Sequence, residues 1–380
     1  MFNKTIDRSG TNALKLERYK EYKEAIPAWV ADMDFESPKC VIEALEERVK
    51  HGIFGYTSTD DDTKNAIVNF IKRYHGWSFD KDSLVFTSGV VASLNIACKM
   101  LKPNESVITT TPIYPYFLSA PENMDRKVRA VAMREIEGRW SIDFDEFERN
   151  IDADCKLFLL CNPYNPGGTV FTKDELLKIG EIALKHDLII CLDEIHAELV
   201  LNKNAKHIPI ASLSPQIADK TITLMAPSKT FNIAGLQSSF AVIENAKLRA
   251  RFEKSMGHIN GGVNLLALTA TKAAYEGGDE WLREVKEYLA ENLQIVKEFV
   301  KNCPPLRLLD MDATYLAWID CRALNTNAWQ LFLKGGVVLN DGKSFGGGGD
   351  GFVRLNFAMP RVVLKEVLAR MEKAVRLCTN

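Results

Sequence analysis

Three apolar stretches of this chain end abruptly in polar residues that a packed core would not select. Leu157-Phe158-Leu159-Leu160 runs into Asn162-Pro163-Tyr164-Asn165-Pro166-Gly167-Gly168, Leu188 to Leu192 runs into Asp193-Glu194-Ile195-His196, and Ile222 to Met225 runs into Ala226-Pro227-Ser228-Lys229-Thr230. In a parallel sheet such ends share one edge, where α/β proteins bind ligands. An amide, a carboxylate and an amine would then meet in one crevice. A lysine there can form a Schiff base with a carbonyl cofactor. A buried carboxylate can hold a pyridinium proton and make the ring an electron sink. An asparagine amide can donate to a phenolate oxygen on the same ring. These are the requirements of pyridoxal phosphate chemistry. A phosphate cradle is offered by Thr87-Ser88-Gly89-Val90-Val91, where a strand gives way to a helix. Exposed N–H groups and the helix dipole favour an anion there, and Gly89 permits close approach. Each feature has a plainer reading on its own: a turn for the Asn-Pro segment, a helix cap for Asp193, a solvated side chain for Lys229.

The elements that must position these residues follow from hydrophobic patterning. Apolar runs at Leu84–Thr87, Ser106–Thr109, Lys127–Ala132, Lys156–Cys161, Leu188–Leu192, Thr221–Met225 and Ser239–Ile243 suit strands buried on both faces. They alternate with helical stretches such as Val90–Leu101 and Lys173–Lys185, which makes the fold α/β with a mostly parallel seven-stranded sheet. Composition shifts near Gly277-Gly278. A long amphipathic helix is predicted from Asp279 to about Lys301, then strands at Tyr315–Ile319, Val337–Asn340 and Phe352–Phe357, and a last helix from about Val362 to Leu377. The expected division is a large cofactor domain over 45–280 and a smaller α/β domain built from 1–44 and 281–380. The glycine tract at 346–351 reads as a flexible loop, and Asp60-Asp61-Asp62 as a solvated helix start.

Composition excludes other classes. The chain has 380 residues, 46% hydrophobic and 26% charged, with a net charge of −2. That balance removes the electrostatic case for nucleic acid or an anionic membrane as main partner. No apolar run approaches a membrane span, and the N-terminus lacks the apolar core of a secretion signal, so a cytoplasmic protein is expected. The eight cysteines and six histidines lack the spacing of a disulfide framework or a metal site, so no metal is expected.

The Asn162–Gly168 segment, Asp193, and Ser228-Lys229-Thr230-Phe231-Asn232 resemble, in order and separation, the fold-type I pyridoxal phosphate enzymes, the class I/II aminotransferase superfamily. The resemblance covers essentially the whole chain. It implies that Lys229 bonds the cofactor, Asp193 pairs with its ring nitrogen, Asn165 donates to its phenolic oxygen and Tyr114 stacks on the ring. Gly89, Val90 and Ser228 would serve the phosphate. Tyr56 would reach the phosphate of a neighbouring subunit's cofactor, joining Lys229 among the catalytic residues and requiring at least a homodimer. Arg354 would clamp the substrate α-carboxylate with its planar fork.

Two further segments, Trp29-Val30-Ala31-Asp32-Met33-Asp34-Phe35 and Asp193-Glu194-Ile195-His196-Ala197-Glu198-Leu199, resemble signatures of bacterial cystathionine β-lyase-type C–S lyases. His196 stands where many aminotransferases place a tyrosine near the phenolic oxygen. Gln237 stands where many place a phosphate-binding arginine, and no replacement cation is identifiable. The implied reaction is an αβ-elimination on cystathionine, cysteine or related S-conjugates, giving a thiol, pyruvate and ammonia. An aminotransferase on the same scaffold is the enzymatic alternative. A pyridoxal phosphate-binding regulatory protein acting through a protein partner is the non-enzymatic one.

Overall fold

The computed structural model describes residues 1–257 and 262–379. Seven strands form the main sheet: β1 (Leu84–Thr87), β2 (Ser106–Thr111), β3 (Val128–Ala132), β4 (Cys155–Cys161), β5 (Ile189–Asp193), β6 (Thr221–Met225) and β7 (Ser239–Val242), in the spatial order β1-β7-β6-β5-β4-β2-β3. Only β7 is antiparallel to its neighbours. Because β7 opposes both β1 and β6, β1 runs parallel to the rest. The C-terminal ends of β1, β2, β4, β5 and β6 therefore face one edge. Every residue of β5 and β6 is buried, which explains their unbroken apolar runs. All seven expected strands form, with ends shifted by a few residues at most.

Helices cover the sheet. α1 spans Lys39–His51 and α2 spans Asp61–His75. Asp60 caps α2 by accepting from the Thr63 N–H at 2.8 Å, so the acidic run does begin a helix. α3 (Val90–Lys99) starts at Gly89 with no side-chain cap. α4 (Lys173–Lys185) opens on a reciprocal capping box between Thr172 and Glu175. The turn after β6 winds into a short helix, α5 (Pro227–Thr230), and α6 spans Leu265–Gly277.

Beyond residue 278 a second sheet appears. α7 (Asp279–Lys301) buries Trp281, Leu282, Val285, Leu289, Leu293 and Val296 along one stripe. It is followed by an antiparallel sheet of β8 (Arg307–Leu308), β9 (Leu316–Asp320), β10 (Asn340–Asp341) and β11 (Phe352–Asn356), ordered β8-β9-β11-β10, and by α8 (Arg361–Thr379). The strand expected at Val337–Asn340 is split. Val337 and Val338 pair in parallel with Ile26 and Pro27, whereas Asn340 and Asp341 pair with β11. The N-terminal segment is thereby sewn onto the C-terminal sheet, and the Ala28 and Asp34 N–H groups donate to Val338 and Ala358.

The glycine tract is a packed turn rather than a loose loop. The Ile113 N–H donates to the Phe345 carbonyl at 2.8 Å, and a Cβ on Gly346 would lie 2.7 Å from Leu118. Gly342 and Gly349 approach so closely that neither could carry a side chain. The tract is glycine-rich because backbone abuts backbone. Among the described residues, no helix is long and apolar enough to cross a membrane.

Candidate active site

The sheet edge gathers the expected side chains. Asp193 is the last residue of β5, in register with Cys161 and Leu224, and it is buried. Its Oδ1 accepts one backbone N–H, from Ile195 at 3.0 Å. Burial pushes its carboxyl up to about 7, against the pull of that N–H and of Lys229. Lys229 sits in α5, directly beyond β6, and its Nζ donates to the Ala31 carbonyl at 2.6 Å. Burial brings its amine down to about 8; Asp32 opposes this and Arg354 adds to it. A lysine and a carboxylate are thus held in one crevice with no direct salt bridge between them, each shifted toward its neutral form.

Arg354 lies in the middle of β11 and is 3% exposed. It donates to Asn165 Oδ1 at 3.0 Å, Asn340 Oδ1 at 2.8 Å and the Trp29 carbonyl at 3.2 Å, and Phe345 stacks 5.0 Å from its guanidinium carbon. Its buried Nε has no partner among the described residues. A buried guanidinium with unused donors suits an incoming carboxylate. Because Asn165 accepts from Arg354 through Oδ1, its amide N–H groups remain for another acceptor. The Tyr114 N–H donates to the Asn165 carbonyl at 3.2 Å, which ties the aromatic to the same loop.

His196 is buried beside the Tyr315 ring, with centroids 6.0 Å apart, and its Nδ1 also lacks a partner among the described residues. Burial, with Lys229 and Arg354 nearby, drives its pKa down to about 3, so the imidazole is neutral. Below the crevice the same segment carries two buried carboxylate–histidine pairs. Glu194 meets His207 at 3.0 Å, and Glu198 meets His75 at 2.9 Å while accepting from Thr230 at 2.7 Å. Glu198 therefore braces the residue that follows Lys229.

At the same edge, a Cβ on Gly89 would project into open space at the uncapped start of α3. Ser228 is buried next to Lys229. Gln237 is exposed in a left-handed conformation, φ 57°. The partnerless His196 Nδ1, the open cradle at Gly89, and Asp193 and Lys229 without a salt bridge between them fit a flat cationic ring carrying a phosphate. Tyr56 is the exception: it is fully exposed on the segment between α1 and α2 and does not join the crevice within its own chain.

Patterning of side chains missed the part played by backbone. Ala31 accepts from both Lys229 and Tyr315, the latter at 3.1 Å, and Asn356 donates to the Val30 and Asp32 carbonyls. Asn232 donates to the Met33 and Phe35 carbonyls and accepts from the Met33 N–H, all within 3.0 Å. Segment 29–35 is thus the wall of the crevice. An ion cluster fixes it from outside: Arg8 bridges Asp32 and Asp34, and the buried Lys15 reaches Asp34 at 2.8 Å. Burial works to raise Asp32, but the Arg8 hydrogen bond and the Lys15 charge hold it below the usual carboxylate value. Tyr315 and Asn340 gave no sequence signal, since one lies in an apolar run and the other at a strand end.

Known proteins place the chain. The family model for aminotransferase class I and II matches residues 30–371. The cystathionine β-lyase PatB of Bacillus subtilis (strain 168) is 39% identical over 98% of this chain and 99% of its own. The crystal structure of OvoB superposes with a TM-score of 0.96 at 40% identity, covering 99% of both chains. Cystalysin from Treponema denticola, whose structure contains a pyridoxal 5'-phosphate cofactor, superposes with a TM-score of 0.95 at 36% identity, covering 99% of this chain and 98% of that one. The chain belongs to the aminotransferase class I and II family, in its cystathionine β-lyase-type branch.

Proposed function

We propose that the chain is a pyridoxal phosphate-dependent C–S β-lyase that converts L-cystathionine, L-cysteine or a related cysteine S-conjugate, with water, to a thiol, pyruvate and ammonia. The observation that carries this reading is the convergence of Lys229, Asp193 and Arg354 in one buried crevice of a chain similar over its whole length to a cystathionine β-lyase. Pyridoxal phosphate supplies, when bound, the electron sink that lets an amino acid lose its Cα proton.

The chain's residues do the rest. Lys229 would hold the cofactor's carbonyl carbon, Asp193 would keep a proton on the ring nitrogen, and the Asn165 amide would donate to the phenolic oxygen beside the neutral His196. Tyr114 would cover the ring, while Gly89, Val90 and Ser228 would receive the phosphate. Arg354 takes the substrate α-carboxylate. The Lys229 Nζ, when free, would take the Cα proton; an amine lowered to about 8 is suited to that task near neutral pH. The proton so gained by Lys229 would be available to the departing sulfur, so that the Cβ–S bond could break with release of the thiol. The wall at 29–35 and the aromatics Tyr114 and Phe345 line the passage to the reacting carbon.

The working unit in this reading is a homodimer in which Tyr56 serves the neighbour's phosphate; its full exposure supports that role. We draw the domain limits at about 45 and 280, where the main sheet gives way to α7, with 1–44 pairing onto the C-terminal part. Eight free cysteines suit a reducing cytoplasm.

The test is to incubate pyridoxal phosphate-loaded protein with L-cystathionine or L-cysteine, without keto acid, and measure pyruvate and thiol. Stoichiometric formation of both supports the lyase. Amino transfer that appears only when a keto acid is added would replace this reading with the transaminase. Borohydride treatment should leave a pyridoxyl group on the peptide containing Lys229, and Lys229→Ala should remove the tag and lower activity by at least about a thousandfold.

A further inference from the structure

The crevice opens through a cavity of about 480 Å3 that has more charge than the reaction needs. Among the described residues, the charged side chains lining it are Arg18, Lys229, Asp341 and Arg354. Lys229 and Arg354 lie at its buried floor and are committed to the cofactor and the substrate α-carboxylate. Arg18 and Asp341 lie toward the solvent, Arg18 exposed and Asp341 half-buried. They are of opposite sign.

Both are held in place. The Arg18 guanidinium carbon sits 5.1 Å from the centre of the Trp29 ring, and Trp29 is itself fixed by donating from Nε1 to the Lys15 carbonyl at 3.1 Å. Asp341 caps the turn that follows it, accepting the Lys343 N–H through Oδ1 at 3.1 Å, which leaves Oδ2 for another donor. Strand register fixes its place relative to the floor: Asn340 faces Arg354 and Asp341 faces Val353. The wall between rim and floor is largely aromatic, with Tyr19, Trp29, Tyr114, Trp329 and Phe345. It fits a thioether chain.

We infer that this mouth is a distal subsite for a zwitterionic amino-acid group, Arg18 taking its carboxylate and Asp341 its ammonium. The favoured substrate class is therefore a cysteine S-conjugate that carries a second α-amino acid on sulfur, as L-cystathionine does, rather than free cysteine or a simple S-alkyl cysteine. This rests on the lyase reading for the chemistry at the floor, but recognition at the rim is separable from it.

The experiment compares L-cystathionine with S-ethyl-L-cysteine, which shares the reacting half and lacks the distal charges. In pyridoxal phosphate-loaded protein, Arg18→Gln and Asp341→Asn should each raise KM for L-cystathionine about tenfold and leave S-ethyl-L-cysteine within about twofold. Asparagine keeps the acceptor that caps the turn, so a fold defect is not expected to mimic the result. The same substitutions in a Lys229→Ala background, which blocks turnover, should weaken L-cystathionine binding by the same factor in calorimetric titration. Parallel losses for both ligands, or no loss for either, would overturn the subsite. If wild type forms no pyruvate from either compound, the lyase reading fails while the titration still decides the subsite.

Discussion

At the scale of the residue, the crevice holds two groups whose burial is costly until a cofactor answers it. Asp193 has a folded pKa raised to about 7, so its neutral form favours folding at low pH and that contribution is lost as pH rises toward and through 7. His196 slopes the other way: with its pKa brought down to about 3, its contribution is full above the ordinary histidine value and fades as pH falls. Lys229, lowered to about 8, changes mainly above that pH. Wild-type stability alone therefore mixes opposing slopes, and a difference measurement isolates Asp193. In urea denaturation of cofactor-free protein, Asp193→Asn should match wild type near pH 3, below the unfolded carboxylate value, and exceed it at pH 8, by at most about 4 kcal/mol. The same variant should retain pyridoxal phosphate poorly and lose most activity. Equal stability at both pH values would show that Asp193 is not ionising unpaired. Arg354→Lys keeps the charge but not the fork or the contacts to Asn165, Asn340 and Trp29. Its KM should rise by roughly two orders of magnitude, corresponding to about 2–3 kcal/mol.

At the scale of the element, what the sequence reveals depends on whether a segment's partner is local. β5 and β6 are legible because both faces are buried, and their polar ends Asp193 and Lys229 stand out against the apolar runs. Lys173–Lys185 and Asp279–Lys301 are legible from their amphipathic patterning, and both helices form with those bounds. Val337–Asn340 is apolar enough to be a strand, but which edge it joins is set by Ile26–Pro27, some three hundred residues away. Segment 29–35 is recognisable only by resemblance, because it serves the site through carbonyls that any residue could supply. Its side-chain fastener is Asn232, three residues past Lys229 and in a left-handed conformation with φ 56°. Asn232→Gly tolerates that φ while deleting three hydrogen bonds between the lysine turn and the wall. We expect a loss of about 2–3 kcal/mol in stability, faster proteolysis before residue 40, and a larger fall in kcat than rise in KM, because Lys229 loses its fixed neighbour at Ala31. Unchanged kcat would make the wall a passive cover.

At the scale of the whole molecule, one chain leaves its most exposed aromatic without a role. Ile42, Val49, Ile53, Phe54 and Tyr56 are all exposed within fifteen residues, along α1 and the segment after it, and Tyr56 has its entire side chain in solvent. Scattered apolar residues need no explanation, but a cluster on an irregular segment next to a helix face does. In a two-fold dimer each chain would lend that segment to the other, so every active site would combine Lys229 of one protomer with Tyr56 of its partner. The arrangement has a consequence that a structural role for Tyr56 lacks. Lys229→Ala and Tyr56→Ala homodimers should each be strongly impaired, yet subunit exchange between them should restore activity. A hybrid dimer carries one site with both residues intact and one with neither, and random pairing makes half the dimers hybrid, so activity should recover to about a quarter of wild type. Phe54→Asp should place a charge in the shared surface, shift the protein to monomer in sedimentation and abolish the recovery. Exchange verified by mixed affinity tags, with no return of pyruvate formation, would mean that each chain completes its own site and that Tyr56 belongs to some other contact.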